Sequence, residues 1–246
     1  MAIAGLDGSG GAGIVADVRT IASLGFHPAA VVTAVTFQNT QRLEGVFDLE
    51  RSIRRQIEAI KSDLKIAGIK TGIVYSIRAA EEVKRGIEDI DAVKVLDPVI
   101  EASVGGKLSG LEVYRHMLPS YDVVTPNSRE AEDLSGIAIN SVDDAVVAAE
   151  KLYETAGIKV IVTGGNLGGV DVVYDGKAYF VEAEMGRVTL HGTGCIYSSA
   201  LTCFLARGER LIDAARKARL YVIEAAKRAK IVGKGLPVAT PYFSEL

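Results

Sequence analysis

Short runs of Val, Ile and Ala alternate along this chain with longer stretches in which apolar residues recur every three or four positions. The runs "MAIAG", "AAVVTAVTF", "IAGIKTG", "VKVLDPV", "YDVVTPN" and "IKVIVTGG" are strand candidates. Their near-continuous apolar content is that of parallel strands covered on both faces. The periodic stretches predict helices over residues 12–24, 50–63, 76–87, 109–118, 127–135 and 141–156. Ser109 with Glu112, and Ser141 with Asp144, have the spacing of helix N-caps. Strands alternating with helices imply right-handed βαβ units, hence one central sheet with helices on both sides. Residues 170–182, "VDVVYDGKAYFVE", break the rhythm. Two short strands there flank Asp175-Gly176, a type I′ turn signal, and predict an antiparallel hairpin at the sheet edge. Helices over 192–207 and 210–230 follow. No repeat, low-complexity tract or linker divides the chain, so a single domain is expected over residues 1–246.

In an open parallel sheet, ligands sit beyond the carboxyl ends of the strands. Asp7, Gln38, Asp97, Asn127, Glu130, Gly164 and Cys195 each follow a strand candidate or open a helix. Chemically capable residues gathered at that end point to an enzyme.

Composition narrows the choice of partner. With 48% apolar and 24% charged residues the chain can bury a substantial core. A net charge of −3 and the lack of a basic cluster argue against a nucleic-acid or anionic-membrane surface. The densest basic run, "RKARLYVIEAAKRAK", has apolar residues at helical spacing and reads as a solvated helix face. No apolar run approaches the ~18 residues of a membrane span, and no signal-peptide pattern precedes "AIAGLDGSGG". Cys195 and Cys203 lie eight residues apart on one predicted helix. That is about 12 Å of rise, too far for a disulfide. With no CxxC motif either, a reducing cytoplasm is the expected setting. Scarce Asn and Gln fit a thermophile.

The glycine loop "GLDGSGGAGIVAD" contains Gly8-x-Gly10-x-x-Gly13, a match to the dinucleotide fingerprint. That fingerprint also needs an acidic residue at the end of the second strand, yet "VTAVTFQNT" has none before Glu44. The loop is otherwise a hinge, or a place where a ligand nears backbone. Asp17 is then either a pocket residue or an exposed helical one. Asp97 in "VLDPV" is a strand-end carboxylate or a simple cap. Asn127 and Glu130 in "TPNSREAEDL" have capping-box spacing, and equally the make-up of a Mg²⁺ or nucleotide-phosphate shell. "VTGGN" lacks the GK[ST] ending of a P-loop, and "GKG" at 233–235 lacks its context.

"LHGTGC" carries the sharpest signal. Gly192, Thr193 and Gly194 open a helix whose unpaired N–H groups can form an anion hole for a phosphoryl group in transfer. A thiol at that point, Cys195, is expected to have its pKa lowered to ~4–7 and to act as base or nucleophile. Cys203, amid "SSALTCFLA", reads as a small buried hydrophobe.

"AGLDGSGGAGIVAD", "AVTFQNT", "IKTGIV", "VLDPV", "TPNSREAEDL" and "HGTGC" follow one another as in a known family. Together they resemble the hydroxymethylpyrimidine (phosphate) kinases of thiamin biosynthesis, members of the ribokinase-like superfamily, across nearly the whole chain. The resemblance implies a three-layer α/β/α fold with a mostly parallel sheet. It also implies a homodimer, and two phosphoryl transfers from Mg²⁺-ATP to an aminopyrimidine alcohol and then to its monophosphate. By the same resemblance Cys195 is the base, and Gly192, Thr193 and Gly194 form the anion hole. Gln38 pairs with the pyrimidine edge, while Gly5, Asp7, Ala12, Asp17 and Val99 complete the substrate pocket. Asp97 and Glu130 tend Mg²⁺; Asn127, Thr163, Gly164 and Gly165 tend the ATP phosphates. Three departures stand out. Thr163 replaces a common Lys, Ile73 a common Met, and "EASVGGKL" a segment with Lys-Ser-Gly, for which Lys107 is a candidate substitute. A pyridoxal kinase is the nearest alternative. A nicotinamide oxidoreductase lacks its ribose carboxylate, and a silent pyrimidine sensor would not need the Asp97/Glu130/Cys195 set.

Overall fold

The computed structural model describes residues 1–182 and 189–242; the rest of the span expected as one domain lies outside the described residues. β1 (Ala2–Asp7), β2 (Ala30–Gln38), β3 (Leu43–Asp48), β4 (Gly68–Thr71), β5 (Val93–Leu96), β6 (Val123–Val124), β7 (Lys159–Val162), β8 (Val170–Tyr174) and β9 (Ala178–Glu182) form one sheet. Their order is β3-β2-β1-β4-β5-β6-β7-β8-β9. β1 pairs in parallel with β2 and β4, and the parallel run continues through β7. The antiparallel β8–β9 hairpin closes one edge, turning at Gly176 with φ 103°. Strand order reverses at β1, which opens a crevice at the carboxyl ends of β1 and its neighbours.

Side chains on a strand alternate between faces. On β1, Ile3 enters one apolar core while Ala2 and Ala4 enter the other. The Ile3 face is covered by α2 (Glu50–Lys61), α3 (Ile77–Ile87), α4 (Leu111–Met117), α5 (Ser128–Ser135) and α6 (Val142–Ala156). The alanine face is covered by α1 (Gly13–Ser23), α7 (Thr193–Ala206) and α8 (Leu211–Lys227). α7 is buried continuously from Cys195 to Phe204. Small residues make that possible: a Cβ at Gly68 would stand 3.0 Å from Thr202 Cγ2, so β4 approaches α7 through that glycine. Residues 236–240 fold back over the molecule. Leu236 N donates to Thr40 O, His191 N to Pro237 O, and Ala239 N to His191 O. Among the described residues no helix is long and apolar enough to cross a membrane.

Two local readings need correction. β3 was not expected: "LEGVFD" pairs antiparallel with β2 through an irregular register, and its residues are partly exposed on both faces. Without a buried face it carries no alternation of apolar and polar residues. Ser109 is not a cap. It is buried and donates to Val74 O at 2.6 Å, while Gly110 precedes α4. Ser141 does cap α6, accepting from Asp144 N.

Candidate active site

A cleft of about 250 Å³ opens at the carboxyl ends of the strands. Asp7 and Ala12 bring the glycine loop to it, Gln38 the end of β2, and Asp97 and Val99 the end of β5. Asn127, Glu130, Thr163 and Gly165 line the opposite side. Gly192, Thr193, Gly194 and Cys195 enter at the start of α7. The glycines permit close approach of chains. Gly192 has φ 89°, and a Cβ there would collide with the carbonyl of Gly11. Gly13, at φ 56°, similarly leaves space for the carbonyl of Gly5. Gly5 is therefore a packing residue against Ile73 and Gly13, and it does not line the cleft.

Asp7 knots the glycine loop together. Its Oδ1 accepts from Ser9 N at 2.8 Å, and its Oδ2 from Ser9 Oγ and Ala12 N, both at 2.9 Å. His191 Nε2 lies 2.8 Å from the same Oδ2. Burial pushes this carboxyl up, but hydrogen bonds from His191, Gln38 and Ser9 outweigh it and hold it well below the usual carboxylate range.

Asp17 is fully buried and belongs to a charged layer beneath the cleft, not to its wall. Lys70 Nζ, also fully buried, meets Asp17 at 2.9 and 3.0 Å and Asp97 Oδ2 at 3.3 Å. Ser199 donates to Asp17, and Ser198 to Asp97, each at 2.9 Å. Burial opposes the charge on Lys70, but Asp17, Cys195 and Asp97 outweigh it and keep the ammonium above its ordinary range. A lysine inside the apolar run "IAGIKTG" signals a buried carboxylate, because isolated buried charge is prohibitively costly.

Cys195 sits above this layer on the first turn of α7. Contrary to the lowered value expected for a helix start, its thiol is pushed up to about 12 by burial. Lys70 pulls it down and Asp17 and Asp97 push it up, with a smaller downward pull from Gly13 N–H. The helix field acts here in a dry site beside two carboxylates, and desolvation of the anion wins.

On the far side, Asn127 and Glu130 form a capping box. Asn127 Oδ1 accepts from Arg129 N and Glu130 N, and Glu130 Oε2 accepts from Asn127 N at 2.9 Å. Burial and the charge of Asp97 push the Glu130 carboxyl up to about 8. Two carboxyl groups thus face one cleft, and the charge of Asp97 raises the cost of ionising Glu130. The described residues hold no cluster of three or more His, Cys, Asp or Glu able to bind a metal. Such a pair suits Mg²⁺, which keeps waters and takes its remaining oxygens from phosphates.

Thr163 hydrogen-bonds to Pro126 O through its N–H at 2.9 Å. Gly164 lies just behind the wall and donates to buried Asp171 at 2.6 Å; a Cβ there would collide with Val170. Arg219 reaches Asp171 at 3.4 Å and Gly169 O at 3.2 Å, and lines the cleft. Burial pushes the Asp171 carboxyl up, and Arg219 is the main opposing influence. This pair, Lys70 and the His191 contact all escaped the sequence, since each joins residues far apart in the chain. Residues 101–107 form a tight turn, with Ala102 N donating to Gly106 O. Ala102 in the turn and Leu108 just after it pack with Ile73, and Ile73 faces the cleft as an apolar wall. Lys107 is exposed, pairs by backbone with Glu101, and does not line the cleft.

A ribokinase-like sheet with a glycine-opened helix facing a carboxylate pair defines a kinase of small molecules. The chain belongs to the phosphomethylpyrimidine kinase family, whose model it matches over residues 7–239. It is 36% identical to the hydroxymethylpyrimidine/phosphomethylpyrimidine kinase of Aquifex aeolicus, over 97% of this chain and 98% of that one. It is 33% identical to the thiamine biosynthesis bifunctional protein of Geobacter sulfurreducens, over 96% of this chain and 50% of that protein. The crystal structure of an ADP complex of Bacillus subtilis pyridoxal kinase superposes with a TM-score of 0.88 at 30% identity, covering 98% and 96% of the two chains.

Proposed function

We propose that this kinase transfers a phosphoryl group from ATP to the hydroxymethyl oxygen of 4-amino-5-hydroxymethyl-2-methylpyrimidine. A second transfer then converts the monophosphate to the diphosphate used in thiamin biosynthesis. The observation that carries this reading is one cleft joining Gln38, Cys195 with the glycine start of α7, and the Asp97/Glu130 pair. Gln38 offers a planar amide to a planar ring. Gly192, Thr193 and Gly194 supply backbone donors to the phosphoryl oxygens. Asp97 and Glu130 would hold Mg²⁺, which when bound offsets phosphate charge. Asn127, Thr163, Gly164 and Gly165 shape the phosphate side, and the whole chain acts as one catalytic unit.

In the first transfer the alcohol oxygen bonds to phosphorus as the bond to ADP breaks, and its proton passes to Cys195 when that residue is a thiolate. A thiol held near 12 is protonated at pH 7 and cannot take the proton, so in that state the proton leaves late, as a loose transition state allows, onto an oxygen of the transferred phosphoryl group. Neutralising Asp97 lowers the thiol, because Asp97 is one of the two carboxylates holding it up. A phosphate monoester is already largely ionised near pH 7, with a second pKa of ~6, so the second transfer needs Cys195 less.

Two free thiols fit a reducing cytoplasm. Phe37 and Phe47, exposed on the β2–β3 ribbon, support a homodimer. A pyridoxal kinase is the second reading, favoured by the likeness to the Bacillus subtilis enzyme. An assay with Mg²⁺-ATP and hydroxymethylpyrimidine, its monophosphate or pyridoxal, with product masses measured, tests both. A pyrimidine diphosphate is expected. Phosphorylation of pyridoxal alone would overturn the pyrimidine reading, and binding of the pyrimidine without turnover would identify a silent sensor.

A further inference from the structure

Among the cleft-lining side chains with a buried polar atom that has no hydrogen-bond partner among the described residues are Gln38, at Oε1, and His191, at Nδ1. Both side chains act on the same carboxylate. His191 Nε2 lies 2.8 Å from Asp7 Oδ2, and the Gln38 side chain is close enough to that carboxyl to help hold it ionised. An ionised carboxylate only accepts, so each of the two must turn an N–H toward it. With His191 as a neutral imidazole, what each has left over is an acceptor. Asp7 cannot swing away, because Ser9 N, Ser9 Oγ and Ala12 N hold it at 2.8 to 2.9 Å.

We infer that Asp7 is a positioning residue that sets the polarity of the substrate pocket. By drawing the N–H groups of Gln38 and His191 to itself, it makes the pocket select a heteroaromatic ring bearing an N–H donor, which an amino group supplies twice. This rests on the proposed pyrimidine kinase activity. A ring with an ether oxygen in place of the amine would set acceptor against acceptor and leave both buried atoms unpaired.

The test compares the 4-amino substrate with its 4-methoxy counterpart in the wild-type enzyme and in Asp7→Asn. The wild type is expected to favour the amine by about 100-fold or more in kcat/KM, as sites built on a hydrogen bond do. Asp7→Asn can itself donate, which frees Gln38 to flip, so the ratio should shrink to within about 10-fold. Equal use of both compounds by the wild type, or an unchanged ratio in Asp7→Asn, would overturn the inference. If the variant does not fold, ¹⁵N NMR of wild-type His191 decides. Nε2–H with a bare Nδ1 that shifts on adding the aminopyrimidine supports it, and Nδ1–H overturns it. Turnover of neither pyrimidine counts against the kinase activity alone, and the tautomer of His191 then judges Asp7 separately.

Discussion

Helix α7 delivers one cysteine to each of two cavities of nearly equal size, about 250 Å³ around Cys195 and about 240 Å³ around Cys203. The second opens at the amino ends of β1, β2 and β4, among Met1, Ile21, Phe26, Ala29, Ile66 and Ala206. Both thiols are buried and both are pushed up to about 12, mainly by burial. Size and thiol pKa therefore do not separate them. The surroundings do: Cys195 stands over Lys70, Asp17 and Asp97 and beside unpartnered polar atoms, whereas Cys203 feels the Met1 ammonium and Arg207 across a mainly apolar lining. A functional cavity is marked by polar groups held ready at some energetic cost, not by its volume.

The contrast can be broken most forcefully at the thiols. Cys195→Ala should slow the first phosphoryl transfer by about 10²–10⁴-fold and the second much less, read from product masses of each step. Cys203→Ala should leave both within about twofold. Equal loss of both steps in Cys195→Ala would remove the division of labour between them. Next in size is Lys70→Met, which leaves Asp17 and Asp97 buried without their cation. Denaturant titration should find a loss of about 3–5 kcal/mol, as for other broken buried pairs. Loss below 1 kcal/mol would mean that the layer beneath the cleft is not a coupled charge system.

The pH dependence is subtler. A thiol whose pKa rises from 9 to about 12 on folding holds its proton more tightly in the folded state. Stability from these groups is thus unaffected below pH 9 and falls as pH rises toward 12. Alkylation by iodoacetamide should climb through that window at both cysteines with no plateau near 9, and nucleotide plus pyrimidine should protect Cys195 alone. Smallest of all, Asn127→Ala should cost about 1 kcal/mol through loss of the α5 cap.

What the sequence reveals follows the range of the forces involved. Helix periodicity, the Ser141 cap and the Asp175-Gly176 turn are local, and each is legible and present. Asp7, Gln38, Asp97 and Asn127 reach the cleft because strand ends converge there in any sheet of this kind. Asp17 shows the limit. Its helix placement was clear, yet only Lys70, 53 positions along the chain, draws it into the core and off the cleft wall. The Asp171–Arg219 pair is hidden for the same reason. β3 is hidden for another, since a strand half exposed on both faces leaves no pattern to find. Cys195 fails in the direction of its pKa shift: its position at a helix start is legible, but its desolvation depends on what the rest of the fold packs around it.

The strap formed by residues 236–240 has a consequence for synthesis. It ties Thr40 at the rim of β2 to His191 before α7 and to Ala225 within α8. Domains acquire structure as they leave the ribosome. The glycine loop around Asp7 emerges well before His191, and the His191 backbone gains its two bonds to the strap only once Pro237 and Ala239 have been made. The nascent chain can therefore assemble its sheet, whose last described strand ends at Glu182, before the backbone beside its cleft receives this support.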